Sequence, residues 1–232
     1  GGSRLDAIAT HWGLIRDAHA SGRPGEVVAA RRALTLRYAR AVRQYVGGLV
    51  QSQADADELA QEVVVRLMKG DFSVADQARG RFRDLLKTAV RNMVRNYWAR
   101  TNRRRPADVE LDHLPGATPD ADAEPAWDAA WQANVLEHTW EALKEYERTH
   151  PGSHLYTVLR MRADYPDWTS EQLAKKLCDR LGGSIRADAC RQILRRARLR
   201  FAQYLIDEIK IGLADTSPDR ITEELAEIGL LQ

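Results

Sequence analysis

Ten cationic side chains lie between residues 79 and 105, where the only acidic residue is Asp84. Because so few carboxylates are available for ion pairs within a helix, these cations repel one another unless an external polyanion neutralises them. Read as a helix at about 100° per residue, the segment places Trp98 among the cations. Cations that hold phosphates beside a ring that stacks on an unpaired base are typical of nucleic-acid binding. The plainer alternatives are a solvated helix face for the cations and an anchor for a neighbouring helix for Trp98.

Amide side chains and a nearby aromatic residue extend this candidate surface. Asn92 and Asn96 carry hydrogen-bonding groups that suit base edges. Phe72 is predicted to lie on the loop at 70–77, which precedes the basic helix. The nucleic-acid contacts predicted from this segment are Phe72, Arg81, Lys87, Arg91, Asn92, Arg95, Asn96, Trp98 and Arg100.

An acidic helix is predicted at 55–69, directly before that loop. Asp55 followed by Glu58 resembles a capping box, with Asp in place of Ser or Thr. Apolar residues recur at helical spacing along one side, which is assigned to the core. The polar side chains of the other side form a candidate surface for a protein partner: Asp57, Glu58, Gln61 and Glu62.

A helix-turn-helix pattern lies at 167–201. Thr169 with Gln172 predicts a capping box, Gly182 begins the turn, and Ser184 is predicted to cap the second helix. Arg and Gln near the start of such a helix can pair with base edges in a major groove, and cations further along can hold phosphates. The predicted DNA contacts are Ser184, Arg186, Asp188, Arg191, Gln192, Arg195 and Arg196. A structural helical hairpin with a basic surface is the alternative.

The net charge of the 232-residue chain is only +2, but the charges are segregated. The stretch 106–143 contains no Lys or Arg. Apolar residues recur every three to four positions almost throughout, which predicts an all-α fold. Pro, Asp and Ala dominate the interval 106–126, which is typical of a flexible linker. We therefore predict two helical domains, at 1–105 and 127–212, joined by this acidic linker and followed by an extension at 213–232.

The sequence lacks a Gly-rich phosphate loop, a His-Glu-x-x-His motif and a nucleophile elbow. Cys178 and Cys190 lack the spacing of a zinc site, and His150 and His154 lack neighbours to complete a metal site. No apolar run approaches the roughly 20 residues needed to cross a bilayer, and the start of the sequence shows no secretion signal. We expect a cytoplasmic protein that is not an enzyme, with reduced cysteines and no cofactor, catalytic residue, metal or membrane partner.

The order and spacing of these segments resemble a bacterial sigma factor of the extracytoplasmic-function (ECF) group, in the sigma-70 superfamily. Residues 55–62, DADELAQE, are similar to the acidic DAEDL-x-QE signature of region 2. Residues 82–86, FRDLL, and 90–97, VRNMVRNY, resemble the region 2 motifs F-R-x-W-L and A-R-N-x-x-x-D-Y. The segment 173–200 resembles region 4. Asn96 departs from the family pattern, which usually has Asp at that position.

This resemblance implies a set of partners. The acidic helix would bind core RNA polymerase at the coiled coil of the β′ clamp, and the β flap would be a second contact. The basic helix would melt and capture the −10 promoter element, and the helix-turn-helix would read the −35 element. An anti-sigma factor or a regulatory kinase is a further partner, and the protein would associate with the nucleoid when bound to polymerase. Residues 80–86, GRFRDLL, look most like factors of planctomycete-type bacteria.

Two other functions are open at this point. A helix-turn-helix repressor or activator that never contacts polymerase would bind a symmetric duplex site by itself. A basic helical RNA-binding or scaffold protein would bind without sequence specificity. Two roles are also open for the extension at 213–232, which either packs onto the second domain or forms a regulatory or partner-binding helix behind the break at Pro218.

Overall fold

The computed structural model describes residues 24–69, 81–104, 123–182, 184–213 and 215–231. Outside short connections these ranges are helical, which confirms the predicted all-α fold. The helices are α1 Pro24–Leu49, α2 Gln53–Lys69, α3 Phe82–Arg104, α4 Ala123–Thr149, α5 Leu155–Asp164, α6 Ser170–Leu181, α7 Ala187–Ile211 and α8 Pro218–Glu227. None of these helices is both long and apolar enough to cross a bilayer.

Some of the predicted elements lie outside the described residues. These are the loop at 70–77 with Phe72 and most of the linker at 106–126. The last four residues of the predicted linker, 123–126, belong to α4. The linker prediction therefore extends a few residues too far at its C-terminal end.

The chain divides into two compact units, and their boundaries differ from the predicted domain boundaries. The first unit contains residues 1–134 and 209–232, and the second contains residues 135–208. The start of α4 and the whole of α8 therefore belong with α1, α2 and α3. The described residues of the C-terminal extension belong to the first unit, and their apolar side chains Ile221, Leu225 and Ile228 are buried. A reading of local spacing could not show this return of the chain.

Aromatic stacking explains why the start of α4 joins the first unit. The ring of Tyr38 stacks on Trp131 with centroids 4.4 Å apart, and Tyr45 meets Trp127 edge-on at 5.1 Å. Trp127 is completely buried. Aromatic pairs of this kind add stability beyond the area that they bury. These residues therefore form the core between α1 and α4.

The N-terminus of α2 differs from the sequence expectation. The helix begins at Gln53, so the residue at the capping position is Ser52, whose Oγ accepts from Asp55 N at 3.3 Å. A capping box at Asp55 and Glu58 is therefore wrong, since Asp55 already lies inside the first turn. A serine hydroxyl serves the same purpose as the predicted carboxylate, which is to satisfy an unpaired N–H at the helix start.

The C-terminal segment completes the first unit with apolar and main-chain contacts. Ile221, Leu225 and Ile228 are buried. Leu213 pairs with Arg81 in an isolated antiparallel β-bridge. Leu213 follows the end of α7 by two positions. The chain therefore returns to the start of α3 immediately after that helix ends.

The second unit contains a helix-turn-helix built from α6 and α7. At the start of α6, Gln172 N donates to Thr169 Oγ1 at 3.3 Å and Thr169 N donates to Gln172 Oε1 at 2.7 Å, which confirms the predicted capping box. Gly182 ends α6 with a φ of 71°, a conformation that favours glycine. The next helix begins at Ala187, so Ser184 does not cap it as predicted.

Cysteine and threonine side chains stabilise the turns of this unit. Cys178 Sγ accepts from Ile185 N at 3.0 Å across the turn before α7. Cys178 and Cys190 are both unpaired thiols, as predicted. The Glu147 carboxylate accepts from Thr157 N at 2.9 Å and from Thr157 Oγ1 at 2.6 Å, which joins α4 to α5.

Truncation of Leu225 tests whether α8 belongs to the first unit. Leu225→Ala should lower the free energy of unfolding by about 2–4 kcal/mol, because it removes buried methyl groups and leaves a cavity. Leu231→Ala is the matched control, since Leu231 is 48% exposed, and it should change the free energy by less than about 0.5 kcal/mol. Urea unfolding followed by circular dichroism measures both. Equal small effects would contradict the docking of α8.

Candidate nucleic-acid interface

One set of nucleic-acid contacts was predicted from the basic segment at 79–105 and the loop before it. Within the described residues, all members of this set except Arg81 lie on α3. The exposed members are Asn92, Arg95, Asn96 and Arg100. The partly buried members are Lys87, Arg91 and Trp98. Leu86 and Val90 are fully buried on the other side of the helix. The core contacts of α3 thus leave amide and cationic side chains available along its outer side.

Arg81 and Arg83 do not join this surface. The sequence pattern places both with the exposed cations, yet their side chains are only 8% and 6% exposed. The prediction is wrong because both cations meet carboxylates from distant parts of the chain, which the spacing within one helix does not show. Arg81 is therefore unavailable to nucleic acid in this structure.

Arg83 binds three carboxylates on two helices. Its Nη1 lies 2.8 Å from Asp128 Oδ1 on α4. Its Nε lies 3.1 Å from Glu224 Oε1, and its Nη2 lies 2.5 Å from Glu227 Oε2, both on α8. A guanidinium group presents its donors in a fixed plane, so the hydrogen bonds to Asp128 and Glu227 constrain the direction of the side chain, whereas Glu224 is an ion-pair partner without a hydrogen bond to Nε.

Arg81 binds the same side of α8. Its Nη2 lies 3.2 Å from Glu223 Oε2 and its Nη1 lies 3.3 Å from Glu224 Oε2. The Nη1 also donates to Glu227. The sequence signal for this cluster was a group of three glutamates beside the apolar stripe of the tail, at positions 223, 224 and 227. These glutamates give α8 an acidic edge that cationic side chains can meet.

Burial changes the titration of the central carboxylate in this cluster. Desolvation raises the pKa of Glu224, and the guanidinium groups of Arg83 and Arg81 oppose this shift. The neighbouring Glu227 carboxylate raises the pKa further. The folded chain therefore accepts the neutral form of Glu224 more readily than an unfolded chain does.

The far end of α3 is joined to the acidic helix. Tyr97 Oη donates to Asp55 Oδ2 at 2.7 Å. Trp98 contacts the Tyr97 ring nearly edge-on, with centroids 5.4 Å apart. Trp98 is partly exposed and lies at helical spacing from Arg91, on the cationic side of α3. Base stacking by Trp98 stays a prediction.

The predicted partner surface on α2 is accessible. Asp57, Glu58 and Gln61 are exposed, and Glu62 is partly buried. Glu62 Oε1 lies 2.6 Å from Arg66 Nη2 on the same helix. Exposed pairs at this spacing contribute little to stability, so a partner cation can exchange with Arg66 at a small cost.

A cleft of about 270 Å³ connects the acidic surface of α2 to the end of α3. It is lined by Asp55, Glu58, Leu59, Glu62, Tyr97, Arg100 and Thr101. Its carboxylates and its tyrosine ring suit a basic side chain with an aliphatic stem. The cleft thus extends the acidic surface inward between the two helices.

All seven predicted contacts of the helix-turn-helix are exposed. Arg191 lies between two carboxylates, with Nη1 3.5 Å from Glu171 Oε1 and Nη2 bound to Asp188. Both carboxylates are well exposed, so DNA can displace them without burying an unpaired charge. Asp188 therefore holds Arg191 in this structure, whereas the sequence pattern grouped it with the base-contacting residues.

The histidines singled out by the sequence serve other contacts. The His150 ring stacks on Tyr146 with centroids 4.0 Å apart, and its Nδ1 lies 2.9 Å from Tyr146 O. In the ranges that the structure describes, no group of three or more His, Cys, Asp or Glu residues is arranged to hold a metal ion.

The first unit, with an acidic helix beside a cationic one, and the helix-turn-helix of the second unit together have the features of an all-α DNA-binding protein. Residues 34–104 match the family model of Sigma-70 region 2. The match covers less than a third of the chain and corresponds to most of α1 with α2 and α3. It supports a sigma-70 family member with a role in transcription initiation and DNA binding. Comparisons with curated proteins and with solved structures gave no match.

The pH dependence of folding tests the environment of Glu224. Because the pKa of Glu224 is raised in the folded chain, its contribution to stability is present below the ordinary carboxyl pKa and is lost as the pH rises through the raised value. Glu224→Gln should remove this loss, so the variant should be at least as stable as the wild type at neutral pH. Urea unfolding at a series of pH values from 4 to 8 measures this. A variant with the wild-type pH profile would contradict the assignment.

Proposed function

We propose that this chain is an ECF-type sigma factor, which binds core RNA polymerase, recognises the −35 and −10 promoter elements and helps to open the promoter. The observation that carries the proposal is the position of the Sigma-70 region 2 match, which spans both the acidic α2 and the cationic α3. One unit then combines a polymerase-binding surface with a DNA-binding surface. The planctomycete-type placement is part of the same proposal.

In this function α2 is the polymerase-binding helix. Asp57, Glu58, Gln61 and Glu62 would bind basic side chains of the β′ clamp, and the cleft between α2 and α3 would receive one of them. Electrostatic complementarity of this kind raises the rate of association and fixes orientation. Neutralising or reversing these charges therefore weakens attachment without removing any core residue.

The outer side of α3 would capture the −10 element as single-stranded DNA. Moving a base out of the duplex costs a few kcal/mol. Stacking on Trp98 would contribute about 1–3 kcal/mol, and Lys87, Arg91 and Arg95 would hold the adjacent phosphates. Asn92 and Asn96 would bond to base edges. The free energy gained from stacking is similar in size to the cost of moving the base out of the duplex, so promoter melting requires no covalent chemistry.

The helix-turn-helix would read the −35 element as a duplex. Arg186 lies directly before α7, and Arg191 and Gln192 lie in its first two turns, where side chains reach base edges in a major groove. Arg195 and Arg196 follow and would contact phosphates. The exposed Asp188 and Glu171 would release Arg191 as the DNA enters.

A groove on the second unit suits the second polymerase contact, the β flap. It is lined by Tyr146, Ser153, Leu155, Arg196, Leu199, Arg200 and Gln203. Leu199 is 65% exposed, and Arg200 lies 4.6 Å above the Tyr146 ring. An exposed apolar side chain beside the cation of Arg200 fits an amphipathic segment with acidic residues.

Charge reversal on α2 tests the polymerase contact. Asp57→Lys combined with Glu62→Lys should abolish co-elution with core RNA polymerase, because it places cations opposite the cations of the partner. The matched control, Glu141→Lys with Glu145→Lys, reverses two exposed charges on α4 and should co-elute like the wild type.

The same assay separates the proposal from its rivals. Runoff transcription that depends on the added chain supports a sigma factor. Binding of a symmetric duplex site by the chain alone, without co-elution, would support a stand-alone regulator. Binding of RNA without sequence preference would support the scaffold alternative.

Substitutions on α3 test capture of unpaired DNA. Trp98→Ala with Arg91→Ala should weaken binding of bubble-mimicking DNA by the holoenzyme by roughly tenfold or more, since a stacking ring and a phosphate-binding cation are lost together. Arg148→Ala, which removes an exposed cation from the second unit, is the control and should bind normally. Fluorescence anisotropy with labelled bubble DNA gives both affinities. Equal affinities for the wild type and the α3 variant would refute DNA capture by this surface.

A further inference from the structure

The two ends of α3 are fixed by polar contacts to different parts of the first unit. At the start of the helix, Arg83 binds carboxylates of α4 and α8. At the other end, Tyr97 Oη donates to Asp55 Oδ2 on α2. Arg83 and Tyr97 are fourteen residues apart, which is about 21 Å along a helix. The exposed Asn92 and Asn96 lie between these two points.

Main-chain contacts reinforce the first of these points. Phe82 N donates to Gly212 O at 2.9 Å. Arg81 forms the β-bridge with Leu213. Gln132 on α4 also contacts the end of the tail, since its Nε2 donates to Gly229 O at 3.4 Å. The start of α3, the start of α4 and the C-terminal segment are therefore joined by several independent bonds.

The ionic character of the cluster indicates a role in orientation. A buried ion-pair network is weak as a source of stability, because desolvation of the charges opposes their attraction. Its geometry is more restrictive than that of apolar packing, because each planar N–H group must point at its acceptor. Rotation of α3 about its own axis would break the hydrogen bonds of Arg83 to Asp128 and Glu227 together. An apolar contact of the same area would tolerate such a rotation.

We propose that the carboxylates of α4 and α8 are positioning residues for promoter opening. Through Arg83 they set the rotation of α3 about its axis, and with it the placement of Asn92 and Asn96 against the separated strand. None of these carboxylates touches DNA. The inference rests on the proposed function and deepens it, since it makes α8 a part of the apparatus that captures the −10 element.

The test replaces the ion pair with apolar side chains of similar size. In Arg83→Met with Glu224→Met, α8 keeps its apolar packing, and the remaining carboxylates of the cluster reach solvent or Arg81. Such replacements of buried ion pairs are often neutral for stability. We expect an unchanged urea midpoint, unchanged co-elution with core polymerase and unchanged binding of −35 duplex. Binding of forked −10 DNA by the holoenzyme should fall roughly three- to thirtyfold.

A spectroscopic signal separates positioning from general weakening. The probe is a forked promoter DNA chosen because the wild-type holoenzyme binds it, and it carries 2-aminopurine at the unpaired −10 position. At saturating DNA the variant should show a smaller fluorescence change than the wild type, because the base is captured in a different register. Glu227→Ala, which removes the acceptor of Arg83 Nη2 and leaves the Glu224 carboxylate in place, should show the same selective loss and covers the case in which the double variant does not fold. Asp219→Asn, on the exposed first turn of α8, should behave like the wild type.

Each remaining outcome overturns the inference. Wild-type affinity and fluorescence in the variants would show that the cluster does not orient α3, while the proposed function stands. Loss of polymerase co-elution together with fork binding would show that the cluster only stabilises the unit. If the wild-type holoenzyme itself fails to bind forked DNA, the proposed function fails first, and the positioning role fails with it.

Discussion

Two buried guanidinium groups at the start of α3 determine how the first unit is assembled. A charge cannot leave water without partners, and the partners of Arg81 and Arg83 come from α4 and α8. The chain therefore has to bring three separate segments together at one point. The apolar side chains of Ile221, Leu225 and Ile228 on α8 and the aromatic rings of Trp127 and Trp131 on α4 are buried in the same unit.

This arrangement gives the segment that matches Sigma-70 region 2 a larger frame than its own three helices. The family match ends at residue 104, but the core of the unit includes Trp127 and Trp131 and is closed by α8. On this frame the acidic surface of α2 and the cationic surface of α3 have a fixed relation through Tyr97 and Asp55. The acidic and the cationic surface therefore belong to one compact unit.

Much of the fold could be read from the sequence, because helix spacing and capping are local properties. Within the described residues each predicted helix is present, and the capping box at Thr169 and Gln172 forms as expected. The caps predicted at Asp55 and Ser184 do not form, since another serine precedes α2 and α7 starts later. Short polar side chains are frequent at such positions, so the pattern alone does not select among them.

The candidate site was predictable where exposure follows from one helix and not where it depends on distant contacts. Asn92, Arg95 and Asn96 are exposed because the apolar arc of α3 defines the opposite side. Arg81 and Arg83 are buried because glutamates more than 140 positions later reach them. No periodicity within α3 contains that information. The spacing of three glutamates in the tail was the only local feature of the sequence that indicated cationic partners in another part of the chain.

The β-bridge between Arg81 and Leu213 also bears on how this protein is made. Synthesis proceeds from the N-terminus, so the ribosome has released α1, α2 and α3 from its tunnel long before α8 emerges. Contacts of such large sequence separation form slowly, since a long loop must close first. The nascent first unit therefore waits with two exposed arginines until α8 emerges, and a chaperone or an acidic surface has that interval in which to bind it.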